Sequence, residues 1–285
     1  MVRNAIADSL RADVARALQS GGAQRLGEEV AFVLRALKRC RALTPGERIE
    51  TMLADLRAGV SPYQAVGCYE LVVGHQDSTI EVSREVMPPG GNTRQVLQDI
   101  ERLARRLDES TVVDFGCGTG VLGFAALRAC ARTRGVLIDI DPHACELARR
   151  NATRLRLAHR TRILCGDTLE VIEDWAQVRL VVANLPFVRT SEVRNLPARF
   201  AVHSPRLAVD GGVDGLSLIS PAIATLERRA RPGTAVLLQV APGRVREVQR
   251  LFSARWQPLP RTSQTDGEKS DDDLGCTVGV QLVSG

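Results

Sequence analysis

Lysine is nearly missing from this 285-residue chain: Lys38 and Lys269 are the only two among 38 basic side chains, and the rest are arginines. That skew is read as genome composition rather than as a functional device. The arginines are interspersed with 33 acidic residues, leaving a net charge of +5 and no dense basic tail, so nucleic-acid contact is not indicated. No apolar run approaches the roughly 20 residues of a membrane helix, and the first thirty residues lack a signal-peptide core. The expectation is a soluble, cytoplasmic protein with no membrane partner.

Cysteine pairs are lacking too. Cys40, Cys68, Cys117, Cys130, Cys145, Cys165 and Cys276 are scattered singly, with no C-x-x-C and an odd total. This argues against a zinc site or a disulfide framework and for small apolar fillers in a reducing compartment. The four histidines are as dispersed, so no Cys–His nucleophile pair is read. Against these absences stands an ordinary globular composition, 44% hydrophobic and 25% charged. At about 150 residues per domain, the length suggests two domains or one with an appendage.

From about residue 5 to 57 the apolar residues recur at helical steps, as in Val30, Val33, Leu34 and Leu37, interrupted at Gly21-Gly22 and Thr44-Pro45-Gly46. Two to four helices are expected, serving either as a packing appendage or in substrate recognition. CYELVVG and STIEVSREV alternate as a β-hairpin around Gly74-His75-Gln76-Asp77. After Pro88-Pro89-Gly90-Gly91, Asn92 or Thr93 can cap a helix starting RQVLQDIERLARRL. Apolar strands TVVDF, GVLIDI, RILCG, RLVVA, TAVLLQV and CTVGVQLV then follow, with helices GVLGFAALRAC, DPHACELARRNA and GLSLISPAIATLERRA among them. This alternation indicates a parallel sheet covered on both faces. The acidic loop TSQTDGEKSDDD is read as a solvated tip. The expected division is a helical domain at 1–62, a hairpin linker at 63–87 and an α/β domain at 88–285.

The strongest local signal is Asp114-Phe115-Gly116-Cys117-Gly118-Thr119-Gly120, at a strand-to-helix turn. Glycines there let the backbone approach a ligand, beside an electropositive helix start; the plain alternative is a tight connection. The dinucleotide fingerprint needs glycine at 121, where Val121 stands, and no lysine follows to make a P-loop. Asp139 ends the next strand, 19 residues past Gly120, where a carboxylate can accept from both ribose hydroxyls. Asp167 and Thr168, in C-G-D-T, provide a third polar strand end. Such ligands lie outside the carboxyl ends of the strands, and this combination argues for S-adenosyl-L-methionine.

The fourth strand runs into Asn184-Leu185-Pro186-Phe187. Such a tetrapeptide can be an ordinary turn, or it can prepare a poor nucleophile. An amide or exocyclic amino nitrogen has a delocalised lone pair, which the site can aim by accepting its two N–H bonds. The Asn184 side-chain oxygen and the Leu185 carbonyl offer those acceptors; Pro186 stiffens the turn and Phe187 offers an apolar wall.

The order DFGCGTG, LIDIDP, GDTLEVI, NLPF and SPRLAVDGGVDGLSLI resembles the HemK/PrmC-type protein-(glutamine-N5) methyltransferases, as a divergent member. These carry N-P-P-Y followed by E-P-R-x-A-L-D-G-G-x-D-G-L, and the match from Asp210 to Leu216 is the more family-specific part. The resemblance implies a class I methyltransferase, Rossmann-like α/β fold with a mostly parallel seven-stranded sheet, a small N-terminal helical domain and a hairpin connection. It implies that Gly116 to Gly120, Asp139, Thr168 and Asn184 contact S-adenosyl-L-methionine. It also implies that Asn184 to Phe187 grip a glutamine of a peptide-release factor or ribosomal protein. Thr93 aligns with the threonine of the family's P-R-P-E-T-E segment, whose arginine, second proline and glutamates are replaced. Leu185, Phe187 and Ser204 also depart from the pattern. These changes leave open an acceptor that is a small metabolite, a peptide or a nucleic-acid amino group; a non-catalytic module with the same fold is the remaining alternative.

Overall fold

A computed structural model describes residues 2–23, 25–39, 47–74, 76–90, 93–241, 243–259 and 276–283. The interruption at Thr44-Pro45-Gly46, the Asn92 cap and the acidic loop at 262–273 lie outside those residues.

Helices α1 (Val2–Ser20), α2 (Leu26–Arg39), α3 (Glu47–Arg57) and α4 (Pro62–Val66) form the N-terminal part. Val14, Val33, Met52 and Leu56 fill a core of their own there. Removing such a side chain from water contributes about 1.5–3 kcal/mol. Tyr63 meets both Phe32 and Tyr69 edge-on, tying helices to the hairpin that follows. Strands β1 (Cys68–Val73) and β2 (Gln76–Glu81) pair antiparallel, with Val73 opposite Gln76. Gln76 and Asp77 therefore belong to the second strand rather than to the turn, and that strand stops at Glu81, before the chain bends at Arg84–Val86.

The α/β part continues with α5 (Thr93–Ala104), β3 (Thr111–Phe115), α6 (Val121–Ala129), β4 (Arg134–Asp139), α7 (Pro142–Arg154), β5 (Thr161–Cys165) and β6 (Val178–Ala183). It closes with α8 (Ala198–Ala201), α9 (Ile219–Arg229), β7 (Ala235–Val240), α10 (Val245–Gln249), β8 (Trp256–Pro258) and β9 (Cys276–Leu282). One seven-stranded sheet has the order β5-β4-β3-β6-β7-β9-β8, with β9 antiparallel to both neighbours. The pleat of β3 divides the core: Val112 faces Phe124 and Leu127 of α6, whereas Val113 and Phe115 face the side packed by Ile219 and Ile223 of α9.

One side chain fastens the hairpin to this layer. Asn151 of α7, fully buried, accepts from the Glu81 N–H at 2.7 Å and donates to the Glu81 carbonyl at 3.0 Å. It also donates to the Thr119 carbonyl at 3.1 Å, inside the glycine turn. The outer Arg150–Glu81 ion pair at 2.9 Å is solvent-accessible and adds little. Asn151→Ala is expected to destabilise the protein by about 3 kcal/mol, because three backbone groups, those of Glu81 partly buried and that of Thr119 buried, lose their partner at about 1 kcal/mol or more each. Urea unfolding checks this; a loss below about 0.5 kcal/mol would show that water replaces the amide.

Candidate active site

A cavity of about 240 Å³ opens at the carboxyl ends of β3, β4, β5 and β6. It lies where the strand order reverses about β3, since β4 follows on one side and β6 on the other. Its floor is the glycine turn. Gly116, Gly118 and Gly120 all take positive φ, at 73°, 52° and 80°. Gly116 is fixed by packing as well: a Cβ there would stand 2.9 Å from Leu185 Cδ2. The turn is stitched to the neighbouring strand, because the N–H groups of Gly116 and Cys117 both donate to the Ile138 carbonyl, at 2.9 and 3.0 Å.

Asp139 closes the junction. Its Oδ2 accepts from the Gly118 N–H at 2.7 Å and its Oδ1 from the Asp141 N–H at 3.0 Å. Burial raises its pKa, and those two N–H groups oppose the rise. Each oxygen keeps a further lone pair, and the residue lines the cavity.

Thr93, Gly116, Cys117, Gly118, Thr119, Asp139, Asp167 and Asn184 to Phe187 all line the cavity. Asp114, Gly120 and Thr168 do not. Asp114 is fully buried beneath α6, where its Oδ2 accepts from the Gly123 N–H at 2.8 Å. Its Oδ1 has no partner among the described residues. Burial first, and then the Asp139 charge, push its pKa up to about 7. The Thr168 hydroxyl is turned back to cap a short 3-10 turn, accepting from the Glu170 N–H at 3.2 Å. Thr93 accepts from the Gly90 N–H at 2.9 Å and so shapes the cavity entrance.

Several lining residues were not foreseen: the Val86–Gly90 wall, Ile140, Phe200, Pro205, Leu207 and Gln239. Two left a trace in the sequence. Gln239 is a lone polar residue in the apolar strand β7, and Ile140 is an apolar residue just past an acidic strand end that stays 48% exposed.

Asn184 is exposed to the cavity, while Leu185 is buried against Gly116. This loop rests on the D-G-G-V-D-G-L segment through main-chain contacts. Val188 and Asp210 form an isolated parallel bridge, with the Gly211 N–H donating to the Val188 carbonyl at 2.7 Å. A Cβ at Gly211 would meet the Pro186 carbonyl oxygen at 2.7 Å and Phe187 Cα at 2.8 Å. Asp210 and Asp214 hold the segment's own N–H groups, at Gly212 (3.0 Å) and Leu216 (2.8 Å). The motif is thus a backbone support for residues 186–188.

Comparison with known proteins now bears on this arrangement. The family model described as methyltransferase small domain matches residues 91–213. The release factor glutamine methyltransferase of Moorella thermoacetica is 29% identical over 253 residues, 85% of this chain and 88% of that protein. The chain is thus similar over most of its length to a release factor glutamine methyltransferase. The Caulobacter vibrioides release factor glutamine methyltransferase is also 29% identical, over 184 residues that span 64% of this chain and 63% of that enzyme. An Escherichia coli structure described as a methyltransferase superposes with a TM-score of 0.50 at 15% identity, covering 77% of this chain and all of that one, which shows the class I methyltransferase fold.

The donor of such methyltransferases, S-adenosyl-L-methionine, fits this cavity. Besides Cys117, its ionisable lining residues are Glu85, Asp139, Asp141 and Asp167, and among the described residues no lysine, arginine or histidine lines it. Such a wall suits a sulfonium cation and opposes phosphates. Among the described residues no group of His, Cys, Asp and Glu could hold a metal ion, and no helix is long and apolar enough to cross a membrane.

Asp114 offers a test of the site's electrostatics. An unfolded Asp titrates near about 3.9, so with its folded value at about 7 the native state holds an extra proton between those limits. Stability from this proton is complete below the lower limit and is lost as pH rises to the upper one. Asp114→Asn removes the titration. Its stability relative to the parent should climb between pH 4 and 7 and then stay level, as read from urea midpoints. A constant difference across that range would mean that Asp114 is ionised throughout.

Proposed function

We propose that this methyltransferase acts on the side-chain amide nitrogen of a glutamine in a protein, a peptide-release factor being the foremost acceptor. The observation that carries this reading is Asn184: an exposed carboxamide facing a cavity of carboxylates, on a loop held rigid from below. The names of the relatives support the same acceptor.

The donor supplies an electrophilic methyl group on a positively charged sulfur. The chain's own residues do the rest by placement. Asp139 takes the ribose hydroxyls on its remaining lone pairs, Ile140 and Val86 provide flat apolar contact, and Gly116 to Thr119 present main chain without side-chain obstruction. Asp167 and Thr93 complete the donor side. The Asn184 oxygen and the Leu185 carbonyl accept the two amide N–H bonds, which turns the nitrogen lone pair toward the methyl carbon. Phe187 excludes water beside it. With that donor in place, transfer would form one N–C bond as one S–C bond breaks, and the alkylated nitrogen would then shed a proton to water, so no dedicated base is needed. Positioning and fixed dipoles account for the rate.

Incubating the protein with donor and a release factor carrying its Gly-Gly-Gln loop should add 14 Da to that glutamine by mass spectrometry; an unmodified panel of release factors would overturn the acceptor assignment. Asn184→Ala should lower turnover by roughly 10²-fold or more, as for other lost dipoles in a transfer site, with donor Kd little changed. Equal losses in both would mean that Asn184 serves the donor instead. Asp139→Ala should do the reverse. Losing charged hydrogen bonds worth about 1.5–3 kcal/mol should weaken donor binding by about 10- to 100-fold in calorimetry, and an unaltered Kd would remove Asp139 from the donor site.

A further inference from the structure

The segment from Pro197 to Pro205 has two faces. Phe200 and Pro205 line the large cavity, on the side where Val209 O accepts from the Val188 N–H at 3.3 Å, next to the Asn184–Phe187 loop. The opposite face touches the N-terminal helices. Ala198 and Arg199 share a small cavity of about 30 Å³ with Glu29 of α2 and with Gly21 and Gly59. His203 Nε2 lies 2.7 Å from the Ala58 carbonyl, to which it donates, just past the end of α3. A Cβ on Gly59 would reach ordinary contact with that of Ala198, at 3.7 Å.

Inside this contact Glu29 and Arg199 attract each other while both lose hydration. Burial raises the carboxyl pKa and the guanidinium opposes it; burial lowers the Arg199 pKa and Glu29 opposes that. The Arg199 guanidinium also lies 5.1 Å above the Phe200 ring. Arg199 thus shares the small cavity with Glu29 on one side and lies over a cavity-wall ring on the other. Helix α8 itself is only one turn, with Phe200 and Ala201 donating back to the Pro197 carbonyl at 2.8 and 3.0 Å, and a helix so short has little stability of its own.

We propose that Glu29 is a positioning residue for the acceptor: through Arg199 it holds α8 so that Phe200 forms the acceptor-side wall, which gives the N-terminal helices a part in acceptor selection. The proposal rests on the reading that the acceptor enters past Asn184 and Phe187. Glu29 touches neither reacting group. It acts as a strut, and its loss should be felt in acceptor affinity rather than in donor binding or chemistry.

The test uses the full chain with a release factor as acceptor. Glu29→Gln should raise KM for the release factor by about tenfold, within the range of ordinary couplings between sites, while kcat and the donor Kd stay within about twofold. Arg199→Gln should match it, and the double variant should be no worse than either single one, as for two residues acting as a unit. Unchanged KM, or equal falls in kcat and donor affinity, would overturn the proposal. A second readout needs no acceptor. Hydrogen exchange at the amides of Phe200 to His203 should quicken in Glu29→Gln, with protection of β3 and α6 retained. If the parent protein leaves release factors unmethylated, the acceptor reading falls by itself and the exchange result still decides this one: faster exchange supports the strut, and unaltered exchange removes it.

Discussion

The hydrogen bond from the Gly118 N–H to the Asp139 carboxylate, 2.7 Å long, joins the ends of two adjacent parallel strands, and the site's geometry depends on it. Parallel pairing of β3 with β4 brings Phe115 level with Ile138, so the turn leaving one strand overhangs the carboxylate ending the other. A positive φ at Gly118 then aims an N–H at that carboxylate. The bond costs Asp139 part of its acceptor capacity and in exchange fixes where the remaining lone pairs point. Asn151 supports the same turn from behind by holding the Thr119 carbonyl. The floor of the cavity is therefore fixed by side chains bonded to its main chain before any ligand arrives, which is the preorganisation a reaction without covalent intermediates relies on.

Charge sets the second constraint. Asp114, buried beneath α6 and outside the cavity, loses its hydration and lies near the Asp139 charge, and it keeps its proton to near neutral pH. Asp139 is partly buried, yet it has two N–H donors, where Asp114 has one at Oδ2 and none at Oδ1 among the described residues. Two acidic residues at adjacent strand ends thus have different roles: one faces the cavity, the other is a largely neutral packing partner of α6.

Much of this was legible in the residues. Buried parallel strands are continuous apolar runs, and TVVDF, GVLIDI, RLVVA and TAVLLQV fall within a residue of β3, β4, β6 and β7. The glycine turn and Asp139 could be read because each must sit at a strand end. The direction of Asp114 could not be read, since spacing locates a residue along a strand without telling how the end of the pleat meets the helix above it; here Gly123, lacking a side chain, lets α6 come down onto the carboxylate. Nor does a threonine just after a strand announce that its hydroxyl will cap the next turn, as that of Thr168 does. Strand β8, with three residues, and helices α8 and α10, with four and five, are too short to show a period. Phe200, the wall residue most relevant to acceptor choice, belongs to one of them.

The support beneath residues 186–188 consists of main chain on main chain, with glycine at 211 because nothing larger fits. A loop propped in that manner owes its course to its foundations more than to the side chains it carries. Leucine can then stand at 185, where the N-P-P-Y pattern has proline, filling space over Gly116, and phenylalanine can stand at 187 in place of that pattern's tyrosine, on the same main-chain support. Such a scaffold lets a lineage revise what it displays to incoming partners without rebuilding the frame on which chemistry is aligned.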